Sequence, residues 1–346
     1  MTERILWLKA YQWERKHHAF RITVPEGIEK AYRVKGMADH ERSALRLKTA
    51  LALEKPVFLP DEIMVFTRTV SDLPMIFSED EWEEIKEVHY IHESGNVSNL
   101  SPDYGKIIRN GLLFYRERFG RDTYHASMRM AIDAVLDLVA RYEAAAREQG
   151  LTELADVLEQ VPARGARTFR EALQSLRVLH YCLWCEGDYH NTLGRFDQYM
   201  MPYLQADLDA GRETRDSAFE LLEAFFLSCN RDSDLYRGMQ QGDNGQSIVL
   251  GGMRPDGTDG YDLLSDMCLE ARVELKLIDP KINLRVDRET PLFGDKIVTW
   301  GGASDLPGVR RSGTVSSRLF FYPSRRTEAF FSRSMMGRCW GQTPSH

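Results

Sequence analysis

Asn283 and Arg285, two positions apart in the apolar run Ile282 to Val286, are the side chains best placed to do chemistry. Alternation along an extended segment turns both to one face. There an arginine fork could hold a carboxylate or a hydroxyl bidentately, or it could be paired inside the wall of the protein. Arg195, Asp197 and Gln198 form a second group at the start of an expected helix, where a carboxylate can cap the helix and pair with the arginine, a structural role. Cys182 and Cys185 make a C-x-x-C, the spacing of a redox pair or of half a zinc site. They fall near the C-terminal end of an apolar helix, where the macrodipole disfavours thiolate, and no second pair completes four ligands. Helix packing, with no metal, is the expectation for them. Tyr189 and His190, beside Glu186 and Asp188, could serve as an acid/base or metal cluster, or pack as a polar loop on Arg195 and Asp197.

These residues need elements to position them, and apolar spacing supplies the elements. Ser247 to Leu250 reads as a short strand closed by Gly251 and Gly252, followed by the turn residues Pro255-Asp256-Gly257. Asp259 or Asp262 can then cap a helix over about 261–277, whose apolar spacing ends at Pro280. Ile282 to Val286 is the next strand. Two strands joined through a helix are expected to be parallel, the repeating unit of α/β barrels and doubly wound sheets. Upstream, helices are predicted over Glu3 to Lys16, Asp39 to Leu53, Met128 to Arg147, Arg170 to Glu186, Phe196 to Ala210 and Asp216 to Asn230, with a strand at Ile63 to Thr67. A helix-rich α/β protein is the predicted class.

Composition excludes several functions. The 346 residues carry a net charge of -7 with acids and bases interspersed, so no basic stripe is available for nucleic acid. No apolar run approaches the ~20 residues of a membrane span. The first residues, Met-Thr-Glu-Arg-Ile-Leu-Trp-Leu-Lys, interrupt their apolar pattern with charge, unlike a signal peptide, so a cytoplasmic protein is expected. Five scattered cysteines do not form a disulfide framework.

Taken in order, four stretches resemble the glycyl radical enzymes, the family of pyruvate formate-lyase with its dehydratase, decarboxylase and choline lyase relatives. Leu193-Gly-Arg-Phe-Asp-Gln-Tyr-Met-Met-Pro-Tyr-Leu204 is similar to a G-R-F/L-D-Q-Y block of that family. Gln246 to Gly252 with Asp256-Gly257 resembles its strand and glycine pair, continued by Cys268-Leu-Glu-Ala271 and Pro280 to Arg285. Glu41 to Glu62, ending in Leu59-Pro-Asp-Glu62, and Ser101-Pro-Asp-Tyr104 complete the match. The resemblance implies an incomplete ten-stranded α/β barrel of the pyruvate formate-lyase type over residues 1–292. It also places His92 near a dehydratase G-H pair; here Gly95 precedes Asn96 instead, and His92 is kept as a pocket candidate with Asn283 and Arg285.

The resemblance implies a mechanism as well. In the family a separate S-adenosylmethionine-dependent iron-sulfur activating enzyme makes a carbon radical at a glycine in an R-V-x-G-Y context. That radical generates a thiyl on a cysteine in a G-C-x-E loop, which abstracts hydrogen from a small organic substrate inside a closed barrel. Neither motif occurs in these residues; Gly337-Arg-Cys339 and Gly341 lack the context. Residues 301–346 hold seven arginines, no lysine and only Asp305 and Glu328 as acids. A disordered basic tail or a reading-frame change after Pro291 accounts for residues 293–346, which are expected to stay apart from the barrel. The expected function is therefore the catalytic protein of a glycyl radical enzyme, a formate acetyltransferase, dehydratase or lyase, interrupted before its radical residues and inactive alone. No bound cofactor is expected; the activating enzyme is the implied partner and a homodimer the implied assembly. A non-catalytic helical binding or scaffold protein is the alternative.

Overall fold

The computed structural model describes residues 1–89, 101–187, 191–231, 246–277, 279–286 and 322–323. In chain order the helices are α1 (Glu3–Trp13), α2 (Asp39–Leu53), α3 (Glu79–His89), α4 (Tyr104–Asn110), α5 (Leu112–Arg116), α6 (Thr123–Glu148), α7 (Thr152–Gln160), α8 (Phe169–Glu186), α9 (Phe196–Asp209), α10 (Arg215–Cys229) and α11 (Leu263–Leu275). The strands are β1 (Ser247–Gly251), β2 (Lys281–Val286) and the two-residue β3 (Tyr322–Pro323). The helix-rich α/β class predicted above is the one observed.

Two hydrophobic clusters share α8. On one side Leu173 and Leu176 pack with α1, α9, α10, α11, β1 and β2; on the other Val178, Tyr181, Cys182 and Cys185 pack with α2, α6, α7 and the segment from Val65 to Leu73. A helix buried on both sides places polar residues in the core as well, and α8 buries Glu171, Gln174, Arg177 and His180 beside its apolar groups. At the centre of the second cluster Phe66 stacks on Tyr142 with ring centroids 4.0 Å apart, and Tyr181 meets Phe66 edge-on at 5.2 Å.

The predicted strand over Ile63 to Thr67 is absent, although Met64 to Val70 are all buried. Side chains, not a neighbouring strand, satisfy this segment's peptide groups. Gln174 accepts from Val65 N at 3.1 Å, Arg177 donates to Phe66 O, Arg231 donates to Met64 O at 2.8 Å, and Glu54 accepts from Thr69 N at 2.7 Å. Phe66 also takes φ 86°, which breaks a pleat.

β1 and β2 pair in parallel, Ser247 opposite Lys281 and Gly251 opposite Arg285, with α11 as the connection. Asp262, rather than Asp259, caps α11, its carboxylate accepting Ser265 N at 3.1 Å. β3 lies parallel beside Arg285 and Val286, so at these two residues the expected separation of the tail from the sheet is not observed. Ile248, Leu250, Ile282 and Leu284 point into the first cluster, at 4% exposure or less. Alternation leaves Asn283 and Arg285 half-buried on the opposite face.

Candidate functional site

The Leu193 to Gln198 stretch runs alongside β1: Leu193 N donates to Ser247 O at 2.7 Å and Val249 N to Gly194 O at 2.8 Å. This brings Asp197, in the first turn of α9, to the end of the strand. Its buried carboxylate accepts Gln198 N at 2.8 Å, Gly251 N at 2.5 Å and Ser265 Oγ at 2.7 Å, and so ties together α9, β1 and α11. Burial raises its pKa above the ordinary value, and those three donors oppose the rise.

The expected Arg195–Asp197 ion pair is not formed. Three donors already occupy the carboxylate, and Arg195 instead reaches the carbonyls of Gly251 and Met253 at 3.5 and 3.4 Å. Arg195 occupies the N-cap position of α9 through its backbone alone. Gln198 donates to Gly260 O at 2.6 Å and accepts from Arg254 Nε at 3.2 Å, so the loop after β1 is fastened to α9 at both ends. Ser265 and Asp262 belong to the same network, yet nothing in the spacing of the sequence connects positions 68 residues apart.

Gly251 and Gly252 have φ of 65° and 81°, the left-handed region. They turn the chain off the strand and lay its backbone against Arg285. A Cβ on Gly252 would sit 2.9 Å from Arg285 Cβ and 3.1 Å from its Nε; one on Gly251 would sit 2.8 Å from Arg285 O. The arginine stem therefore rests on bare backbone. Among the described residues its guanidinium has no hydrogen-bonded or ionic partner. Of the two roles open to Arg285, an internal ion pair is thus not realised among those residues. Asn283 Nδ2 makes one long contact, 3.4 Å to Ile248 O.

The other candidates separate from this site. His92 and the Tyr189-His190 pair lie outside the described residues, as do Gly337, Cys339 and Gly341. Cys182 and Cys185 are packed in the second cluster; burial, then the nearby Glu54 carboxylate, pushes the Cys182 thiol far above its ordinary range, the opposite of a reactive cysteine. A groove of about 620 Å³ near α2, α5 and α6 is lined by Arg116 and Asp133, already bound to each other, and by Arg129, which donates to Phe119 O and Gly120 O. Among the described residues no group of three or more His, Cys, Asp or Glu could hold a metal ion, and no helix is long and apolar enough to cross a membrane.

A pyruvate formate lyase-like family model matches residues 65–296, about two thirds of the chain. The chain belongs to the pyruvate formate lyase-like family. It is 29% identical over 190 residues to a trans-4-hydroxy-L-proline dehydratase of Clostridioides difficile, covering 48% of this chain and 23% of that protein. It is 27% identical over 146 residues to a 4-hydroxyphenylacetate decarboxylase glycyl radical subunit of the same species, covering 40% and 16%. In structure it resembles the glycerol-bound B12-independent glycerol dehydratase of Clostridium butyricum, with a TM-score of 0.66 at 23% identity over 84% of this chain and 48% of the other. The family member described here thus spans less than half of each of these proteins, and the proteins it resembles are glycyl radical dehydratases and lyases.

Proposed function

We propose that this chain is the N-terminal part of the catalytic protein of a glycyl radical enzyme, with β1 and β2 the first strands of the ten-stranded barrel and the Asn283/Arg285 face turned toward the substrate cavity. The observation that carries the reading is Arg285: a half-buried guanidinium, without a partner among the described residues, beside a glycine pair that leaves it room. An arginine costs free energy to withdraw from water without an anion, and the described residues supply none, which supports a partner from outside them. A substrate carboxylate or hydroxyl fits that fork.

The reaction class is cleavage of a carbon–oxygen or carbon–carbon bond in a small organic substrate, with dehydration favoured over formate acetyltransfer by the dehydratases among the relatives. The glycyl radical, installed by a partner activating enzyme that uses S-adenosylmethionine, supplies the hydrogen-abstracting chemistry. This chain's contribution is the wall: β1 and β2 present Asn283 and Arg285 for orientation, and the apolar layer behind them excludes water. A cytoplasmic homodimer is part of the same proposal, as is a change of reading frame after Pro291 that separates residues 1–292 from 293–346.

The experiment is to restore the frame, express the extended protein, and follow the Arg285 Nε–H resonance during titration with trans-4-hydroxy-L-proline and, separately, glycerol. Movement of that resonance with either probe is expected, with binding of the same probe weakened in Arg285→Lys. Absence of family sequence in every downstream frame, or an Arg285 resonance indifferent to both probes, contradicts the proposal.

A further inference from the structure

Ser265 Oγ has one hydrogen and two carboxylates to serve. It lies 2.7 Å from Asp197 Oδ2 and 3.3 Å from Asp262 Oδ1, and it already accepts Asp262 N at 3.2 Å. If the hydroxyl donates along its shorter contact, to Asp197, then Asp262 Oδ1 faces an oxygen lone pair. That contact becomes attractive only when Asp262 itself carries a proton. Ser265 and Asp197 are fully buried, and Asp262 is partly buried, its side chain 13% exposed.

We propose that Asp262, Ser265 and Asp197 hold one proton in common and that this proton positions Arg285. The Asp262 carboxyl donates to Ser265, Ser265 donates to Asp197, and Asp197 accepts the Gly251 N–H, one residue before Gly252, against which the Arg285 side chain lies. When the proton leaves, it passes from Asp262 to water and Ser265 keeps its own hydrogen. Two buried carboxylates then compete for one hydroxyl, and Asp197 loosens its hold on Gly251. Asp197, Ser265 and Asp262 act as positioning residues.

The surrounding charges favour such a shared proton. Burial first, and the Asp197 charge second, raise Asp262 from 3.8 to about 6. Asp197 is raised as well, by burial. Arg254, 3.7 Å from Asp262 Oδ2, is the opposing cation. Tyr199, Tyr261 and Cys268, which face the pair, are all pushed above their ordinary ranges and stay neutral. A group raised in this way stabilises the fold fully below its ordinary value and loses that contribution as pH rises through about 6.

The biological meaning of this proton rests on the reading of Arg285 given above, but its test does not. Selective ¹³Cγ-aspartate spectra of the whole chain, from about pH 4 to about pH 8, read Asp262 directly while the Gly251 amide is followed alongside. Asp262 is expected to titrate near 6, with the Gly251 amide moving at the same midpoint. Asp262→Asn, whose amide donates in the proton's place, is expected to hold the Gly251 amide at its low-pH position throughout. Ser265→Ala is expected to uncouple the two. An Asp262 carboxyl titrating near its ordinary value, or a Gly251 amide that still follows pH in Asp262→Asn, overturns the proposal. The wild-type and Asp262→Asn spectra decide it even where Ser265→Ala does not fold. A failure of Arg285 to bind substrate leaves these spectra unchanged.

Discussion

Asp197 accepts the backbone N–H of Gly251 at 2.5 Å, joining the start of α9 to the end of β1 across 54 positions of sequence. The same carboxylate takes Ser265 Oγ, so one side chain fixes where the strand ends, where α11 begins and where the glycine pair meets Arg285. Asp197→Ala leaves the Gly251 N–H without its acceptor inside the core. Leaving buried polar groups unpaired costs roughly 1–3 kcal/mol each, so a loss of about 3 kcal/mol is expected, read as a lower urea midpoint at unchanged slope.

Gly252→Ala tests the close approach to Arg285. The new Cβ falls 2.9 Å from Arg285 Cβ in a backbone conformation with φ 81°, so strain and displacement act together. A loss of about 1–3 kcal/mol is expected. Arg285→Ala should relieve only part of it, because the shortest contact, to the Arg285 Cβ, remains while those to Nε at 3.1 Å and Cδ at 3.2 Å are removed. A double-mutant cycle measures the coupling, and a coupling that cancels the whole loss would place the strain in the guanidinium rather than in the backbone.

A second buried pair holds the extended segment. Arg231 pairs with Glu62, both side chains at most 4% exposed, and also donates to Thr67 Oγ1 at 3.1 Å and Met64 O at 2.8 Å. Removing one partner strands a buried charge, and Glu62→Ala is expected to cost about 3–5 kcal/mol. Thermal unfolding of Glu62→Ala, Arg231→Met and the double variant separates the contributions; the double variant is expected to be more stable than Glu62→Ala alone.

Much of this architecture is legible from apolar spacing, because α2, α8, α10 and α11 each present a long periodic face. The short α7 escapes: Leu154, Ala155, Val157 and Leu158 are buried at helical spacing, but nine residues give the period too little length. The segment over 63–67 misleads for a different reason. Its run of buried residues is that of an inner strand, and the groups that replace a partner strand, Gln174, Arg177 and Arg231, come from over 100 positions away. Arg195, Asp197 and Gln198 were recognisable as a structural group. Their actual partners, Gly251, Ser265 and Gly260, are set by the fold and leave no spacing in the sequence to find.

Glu223 on α10 offers a pH test independent of the site. It is buried with neither carboxylate oxygen hydrogen-bonded, and burial pushes it from 4.5 to about 7, with Glu274 and Glu220 adding to the rise and the terminal amine and Lys9 opposing it. Being raised, it contributes stability that is complete below 4.5 and lost as pH rises through about 7. Glu223→Gln is expected to flatten that part of the stability profile and to gain on wild type above neutrality. Parallel profiles for the two proteins would show that Glu223 is not the titrating group.

The central claim, that these residues are one part of a glycyl radical enzyme, is tested most directly by electron paramagnetic resonance after anaerobic incubation with a competent activating enzyme and S-adenosylmethionine. The 346-residue chain, which carries neither an R-V-x-G-Y nor a G-C-x-E motif, is expected to give no protein radical, and the frame-restored protein to give the doublet of a glycyl radical. A doublet from the chain alone, or none from the extended protein, would contradict the account.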